Sequence, residues 1–353
     1  MILDAARVLI PFVIAFSIGI AGAPLLAHYL YKYRAWKKRS GKTHGLGDST
    51  GTPLFNALHK EREVSTPRMG GVLVWATVFI TAAVLALLGF VAPQTFGPLD
   101  FVNRGQTWLP LFALLVGGIA GLTDDLLEVA RSEGGLSLRW RLLVVALFGA
   151  FAGWWFFAKL GVAAIGIPFL GALPLGVLIV PFFVLVALAL YASGIIDGID
   201  GLAGGVFGII FMAYAGIAFA QEQYSLAAFA ATVAGALFAF LWFNIPPARF
   251  YLSETGTMAL TMTLAVTAFS ADVLGEGVGV AVLPIIAFPL SITVLSSIIQ
   301  VVSKKVFKRK VFQIAPIHHH FEALGWPPYK VTMRYWIITM IAGIFGIALA
   351  LLK

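Results

Sequence analysis

The sequence has no cysteine. Disulfides and thiolate nucleophiles are excluded, and a metal would have to rely on carboxylates and imidazoles. Charge is scarce too: 11% of the 353 residues are charged, where a soluble domain carries roughly 25%. No internal repeat is obvious, which leaves no basis for an inverted-repeat transporter.

What fills the chain is apolar, with 60% hydrophobic residues. Ten stretches are long enough to cross a bilayer: 8–30, 69–92, 107–127, 139–158, 172–193, 203–220, 224–243, 256–272, 278–303 and 334–352. They predict an all-α polytopic membrane protein of about ten transmembrane helices, forming one integral membrane domain over 1–353. The first stretch is expected to be a retained helix. Its apolar core is too long for a signal peptide, and its basic cluster follows it. The segment 159–171, apolar and rich in Gly and Pro, reads as an outer hairpin or a re-entrant piece.

A net charge of +8 raises the question of nucleic acid. In a membrane protein, basic loops facing the anionic cytoplasmic leaflet account for it, so no nucleic-acid partner is expected. With the N-terminus outside, loops 31–68, 124–141, 194–202, 244–255 and 304–334 face the cytoplasm. Only Arg7, Arg104, Lys159 and Lys353 lie elsewhere, so these loops hold 20 of the 24 Lys and Arg residues. That asymmetry fixes the orientation, with both termini outside the cytoplasm.

The same five loops carry every chemically suggestive motif, which predicts a site on the cytoplasmic face. Ionisable groups are expensive near lipid and mark function there. Asp124-Asp125 closes the third stretch. Adjacent helical residues point about 100° apart, so one carboxylate can face a ligand while the other faces a helix or a metal shell. A solvated helix end is the plainer reading, but acids oppose the dipole at a C-terminus. Asp197 and Asp200 sit in a Gly-rich turn, and three-residue spacing puts both on one side of a helical turn. Gly198 and its neighbours let a ligand approach the backbone. Magnesium binds through one or two carboxylates plus substrate phosphates, so a small set of acids such as this turn offers, Asp197 among them, suffices near a phosphate. In Ser253-Glu254-Thr255-Gly256, Glu254 also suits the first turn of a helix. Tyr251 is placed to stack on a base or to sit at the interface. His318-His319-His320, read as extended, cannot readily share one metal because alternate residues point apart. Hydrogen bonding to phosphate or sugar suits them better. The basic run 304–310 is expected to rest on the anionic leaflet.

These motifs resemble the phospho-N-acetylmuramoyl-pentapeptide translocase family of the polyprenyl-phosphate N-acetylhexosamine-1-phosphate transferase superfamily. The likeness runs from Thr66-Pro67-Arg68-Met69-Gly70-Gly71 to the last stretch. The acidic motifs are superfamily-wide. Ala315-Pro316-Ile317-His318-His319-His320 with Glu322, Gly325-Trp326 and Lys330 to Trp336 is specific to this branch, and Gly135-Leu136-Ser137 with Arg139 and Arg141 fits it.

The resemblance implies transfer of phospho-N-acetylmuramoyl-pentapeptide from its UDP carrier to undecaprenyl phosphate, giving lipid I and UMP with Mg2+, in the bacterial cytoplasmic (inner) membrane. It implies a homodimer; nothing in the composition does. Matched by motif, Asp124 and Asp125 handle the lipid phosphate, Asp197 and Asp200 border the nucleotide, and Glu254 takes the place of the magnesium-binding aspartate. Asn244 and Tyr251 fall on the uridine side. His318 is grouped with the catalytic residues, and His319 and His320 with those that bind substrate. Direct attack and a covalent route through a carboxylate both remain open.

The chain departs from the family pattern in four places. Ser253-Glu254-Thr255-Gly256 stands for Gly-Asp-Thr-Gly, Glu128 and Glu63 each stand for a lysine, and Gly194 stands for an asparagine. Arg68, with Arg62 or Arg131, is expected to replace the lost cationic contact to the donor's phosphates. Two other readings follow from these departures: an N-acetylglucosamine-1-phosphate transferase using the same lipid, and a catalytically lapsed scaffold that binds polyprenyl phosphate.

Overall fold

The computed structural model describes residues 2–38, 64–103, 105–131, 134–272 and 277–352. Arg62, Glu63, Arg104 and Lys353 lie outside them. The long helices are α1 (Ile2–Lys32), α2 (Gly71–Val91), α3 (Trp108–Ala130), α4 (Leu138–Leu160), α5 (Ile179–Ala192), α6 (Leu202–Ala220), α7 (Tyr224–Asn244), α8 (Ser253–Ser270), α9 (Phe288–Phe307) and, after the short α10 (Ile317–Ala323), α11 (Pro328–Leu351). Nine of these segments, all but α8 and α10, are long and apolar enough to cross a membrane. The molecule is an all-α polytopic membrane protein.

The one expected span outside these nine, α8, is different in kind. Every residue in it except Glu254 is buried. It packs most extensively on α3 and also touches α2 and α5. A helix enclosed by protein needs no lipid-compatible surface, so it can carry hydroxyls at membrane depth. Thr257, Thr261, Thr263 and Thr267 each donate to the backbone carbonyl four residues earlier, at 2.7–3.2 Å. Gly71 and Gly121 bring α2 and α3 against the first turn of α8. A Cβ at Gly71 would collide with the Gly256 backbone, and one at Gly121 with the Glu254 carbonyl. Small residues allow this backbone approach where hydrophobic driving force between helices is weak.

Two expectations from the sequence are refined. Segment 159–171 contributes to an antiparallel hairpin, β1 (Ala164–Ile167) with β2 (Gly171–Pro174). It is tied down by Gly166 N, which donates to the buried Asp272 at 3.2 Å. The span placed at 278–303 is displaced: a single turn over Leu283–Ile286 comes first, and α9 starts at Phe288. Pro284 and Pro289 explain the break, because proline is accepted in a first helical turn and resisted in an interior.

Candidate active site

The first N–H groups of a helix have no partners within it, and its positive dipole end favours anions. No side chain caps α8 locally. Two acids from other segments do so instead. Ser253 N donates to Asp197 Oδ2 at 2.7 Å and Thr255 N to Asp125 Oδ2 at 2.9 Å. The Ser253 and Thr255 hydroxyls donate to the same Asp125 oxygen at 2.5 and 2.6 Å. Met69 N donates to Ser253 Oγ at 2.9 Å. The loops around residues 68 and 197 and the last turns of α3 at Asp125 thus converge on the start of α8.

Asp125, fully buried, spends its other oxygen on Arg68, whose Nε and Nη2 both reach Oδ1 at 3.1 Å. Arg68 Nη2 also meets Glu128 Oε2 at 2.9 Å, and Lys37 Nζ meets Glu128 Oε1 at 3.0 Å. Burial works to lower the Arg68 pKa, but Asp125 and then Glu128 outweigh it, so the guanidinium stays firmly charged. Glu128, which stands where the resemblance expects a lysine, therefore sits between two cations. Arg131, the other described candidate for the lost contact, is exposed.

Asp124 points away from this cluster. Its Oδ1 accepts Leu136 N at 2.6 Å, and its Oδ2 lies 3.8 Å from Arg141 Nη1. The same Nη1 donates to Glu254 Oε1 at 2.7 Å. Arg141 therefore bridges the two carboxylates that α8 and Arg68 leave unclaimed. The Asp124-Asp125 pair divides as adjacent helical positions should, with Asp125 held by Arg68 and the start of α8 and Asp124 turned toward Leu136 and Arg141.

On the other side of α8, Asp200 Oδ2 accepts Ala248 N at 3.1 Å. Asn244 is buried, with Oδ1 accepting Gly201 N at 3.0 Å and Nδ2 donating to Phe250 O at 2.9 Å. Both ends of its amide stitch loops together. Tyr251 is half-buried, and its backbone pairs with Pro67 O and Gly70 N at 2.8 Å each. Asp197 is pushed up to about 6 by burial, against the pull of the Ser253 N–H and Arg68.

The histidines occupy α10, so the extended reading of this segment is corrected. A helix turns successive residues by about 100° instead of alternating them. His318 and His319 are buried with ring centroids 4.3 Å apart, and His319 Nδ1 lies 2.6 Å from Glu322 Oε2. His320 turns aside to accept Gln313 N at 3.2 Å. Gly198 is where this helix meets the acidic turn: a Cβ there would press on the Nε2 atoms of both His319 and His318. The described residues that the sequence assigns to the site, Arg131 and His320 apart, thus lie in one connected cluster, although Asn244 and Arg68 are engaged in holding it together.

Carboxylate oxygens of Asp124, Asp125 and Glu128 lie within 4.8 Å of one another. Such hard oxygen donors fit Mg2+. Asp125 and Glu128 are already saturated by hydrogen bonds and ion pairs, however. Asp124 and Glu254, which share Arg141, keep the most capacity for a cation; Asp197 joins the same helix start through Ser253 N.

Sequence reading missed Arg141, Ser253, Thr255, Lys37 and Glu322 as site residues. Glu322 was findable, since it follows His319 at helical i,i+3 spacing. Arg141 was not, because Arg139 two residues earlier offers the same charge and only the phase of α4 turns one inward.

Residues 107–272 match the family model for glycosyl transferase family 4. A phospho-N-acetylmuramoyl-pentapeptide-transferase from Rubrobacter xylanophilus is 35% identical over 286 residues, covering 78% of this chain and 80% of the relative. Proteins of the same name from Chloroflexus aurantiacus and Bacillus cytotoxicus are 33% and 29% identical, covering 90% and 95% of this chain and 85% and 95% of their own. With relatives at 35% and 33% identity covering 78% and 90% of its length, the chain belongs to the phospho-N-acetylmuramoyl-pentapeptide-transferase family.

Proposed function

We propose that this protein transfers phospho-N-acetylmuramoyl-pentapeptide from UDP-MurNAc-pentapeptide to undecaprenyl phosphate, giving lipid I and UMP at the inner face of the bacterial cytoplasmic membrane. The observation that carries this is the convergence of Asp124, Asp125, Asp197, Asp200, Glu254 and the His318–His320 helix around the start of α8, at one end of a membrane-spanning bundle. The names of the relatives support the muramoyl-pentapeptide donor over N-acetylglucosamine.

The reaction asks for positioning and charge more than covalent work. A phosphate monoester has a second pKa of about 6, so the lipid phosphate is largely dianionic near neutral pH. Asp124 therefore orients that phosphate and its polyprenyl carrier against the donor's β-phosphorus. Asp125 keeps the start of α8 in place through its three contacts there. Asp197 and Asp200 border the nucleotide with Gly198, while Tyr251 faces the base. Asn244 fixes the loop that presents Tyr251. Arg68 keeps Asp125 and Glu128 in register and reaches phosphate only by leaving one of them. His318, His319 and His320 serve the sugar-phosphate side, with Glu322 orienting His319. Glu254, Asp197 and Asp124 would hold Mg2+, which when bound offsets charge on the pyrophosphate as UMP leaves. A homodimer belongs to this reading.

The test is UMP release from UDP-MurNAc-pentapeptide and undecaprenyl phosphate in nanodiscs, with UDP-N-acetylglucosamine in parallel. UMP is expected from the first donor alone and is abolished by EDTA. UMP from the acetylglucosamine donor overturns the assignment of donor, and none from either favours the scaffold reading.

A further inference from the structure

The role of Arg141 is left open by the proposed chemistry. Its Nη1 donates to Glu254 Oε1 at 2.7 Å and stands 3.8 Å from Asp124 Oδ2, so one cation serves two carboxylates from two helices. The guanidinium also neighbours the Tyr191 hydroxyl. Its Nε–H is buried and has no hydrogen-bond partner among the described residues. An unmet buried donor on a charged fork is costly, and arginine is normally used where its donors match paired oxygens. The side chain therefore occupies this position without being fully satisfied by it.

The neighbouring acids offer no comparable gap. Asp125 takes five hydrogen-bond or ion-pair contacts from Arg68, Ser253 and Thr255. Glu128 lies between Arg68 and Lys37. Among the described residues, Asp124 and Glu254 are the acids whose shared counter-charge is a single, partly exposed side chain from another helix.

We propose that Arg141 is a resident cation between Asp124 and Glu254 in the ligand-free protein, and that a divalent metal and Arg141 exclude one another there. This rests on the metal-dependent reading above and deepens it. Metal arrival would release the guanidinium, whose Nε–H and Nη groups form the planar fork that grips phosphate oxygens. The free protein would thus keep two facing acids neutralised until metal and donor arrive together.

Mn2+ titration followed by electron paramagnetic resonance, on full-length protein in nanodiscs without donor, decides this. Arg141→Gln is expected to bind Mn2+ about ten-fold more tightly than the parent, equivalent to about 1.4 kcal/mol. Arg139→Gln removes the same charge from an exposed position on the same helix, and is expected to leave affinity within about two-fold. Arg141→Lys keeps the charge without the fork, is the milder change for folding, and is expected to fall between. Equal or weaker Mn2+ binding in Arg141→Gln, an equal gain in Arg139→Gln, or no binding to any of the proteins overturns the proposal. The titration needs no turnover: a parent that behaves as expected but releases no UMP refutes the transferase reading and leaves the exchange standing.

Discussion

Asp124 and Asp125 are adjacent, identical in chemistry and both buried, yet the structure gives them different partners, from which we infer different tasks. Replacing each by asparagine separates the tasks. In Asp125→Asn the amide must turn its NH2 either toward Arg68, which offers two donors, or toward Ser253 and Thr255, which offer three. Donor faces donor in both orientations, and Arg68 loses half of its counter-charge. Removing one partner of a buried ion pair costs about 3–5 kcal/mol. Arg68 keeps Glu128 and some solvent access, so the lower end, about 3 kcal/mol, is expected. At about 2–4 °C per kcal/mol for a sizeable chain, Tm should fall by about 6–12 °C. In Asp124→Asn the oxygen that accepts Leu136 N survives, and the 3.8 Å contact to Arg141 is the main loss. A partly exposed ion pair of that kind is worth about 1 kcal/mol or less. Tm should move by no more than about 4 °C while UMP release collapses. The assay is Tm by intrinsic fluorescence and UMP release on the same nanodisc samples. Equal Tm losses, or an Asp124→Asn protein with unchanged turnover, would refute this division of labour.

Glu254→Gln should abolish UMP release, while Glu254→Asp, restoring the family's side chain, should keep much of it; full activity in the Gln variant removes Glu254 from the metal's neighbours. Glu128→Lys places a third cation beside Lys37 and Arg68 and should lower Tm. Adding Arg68→Thr should recover at least half of that loss in a double-variant cycle, and simple additivity would show that the two sites are not coupled. Glu322→Gln withdraws the acid that orients His319, so KM for the donor should rise several-fold, measured by initial rates over a donor series; an unchanged KM would leave the pair with a purely structural role. Gly198→Ala pushes a methyl group onto both buried imidazoles and should cut donor affinity about ten-fold or more by calorimetry, with Gly201→Ala, at φ +76, reporting instead on stability.

Much of this protein was legible in the chain itself. Membrane insertion demands long uncharged runs, so the all-α polytopic class and nine of the ten expected spans follow from local composition, while orientation is an expectation from the distribution of Lys and Arg. The acids and histidines were visible because charged groups are rare in such a chain. What sequence could not decide was which of them are free. Asp124 and Asp125 differ only in the phase of α3, and that phase has meaning only once α8 stands beside it. The character of α8 itself depended on packing: its threonines weaken the membrane signal, and only enclosure by α2, α3 and α5 makes them tolerable. Arg68 paired with Glu128, Asp197 capping a helix more than fifty residues away, and Arg141 set between Asp124 and Glu254 are contacts between distant segments. Composition supplied the charges, and the tertiary structure decided which of them neutralise one another, because that depends on how distant helices pack.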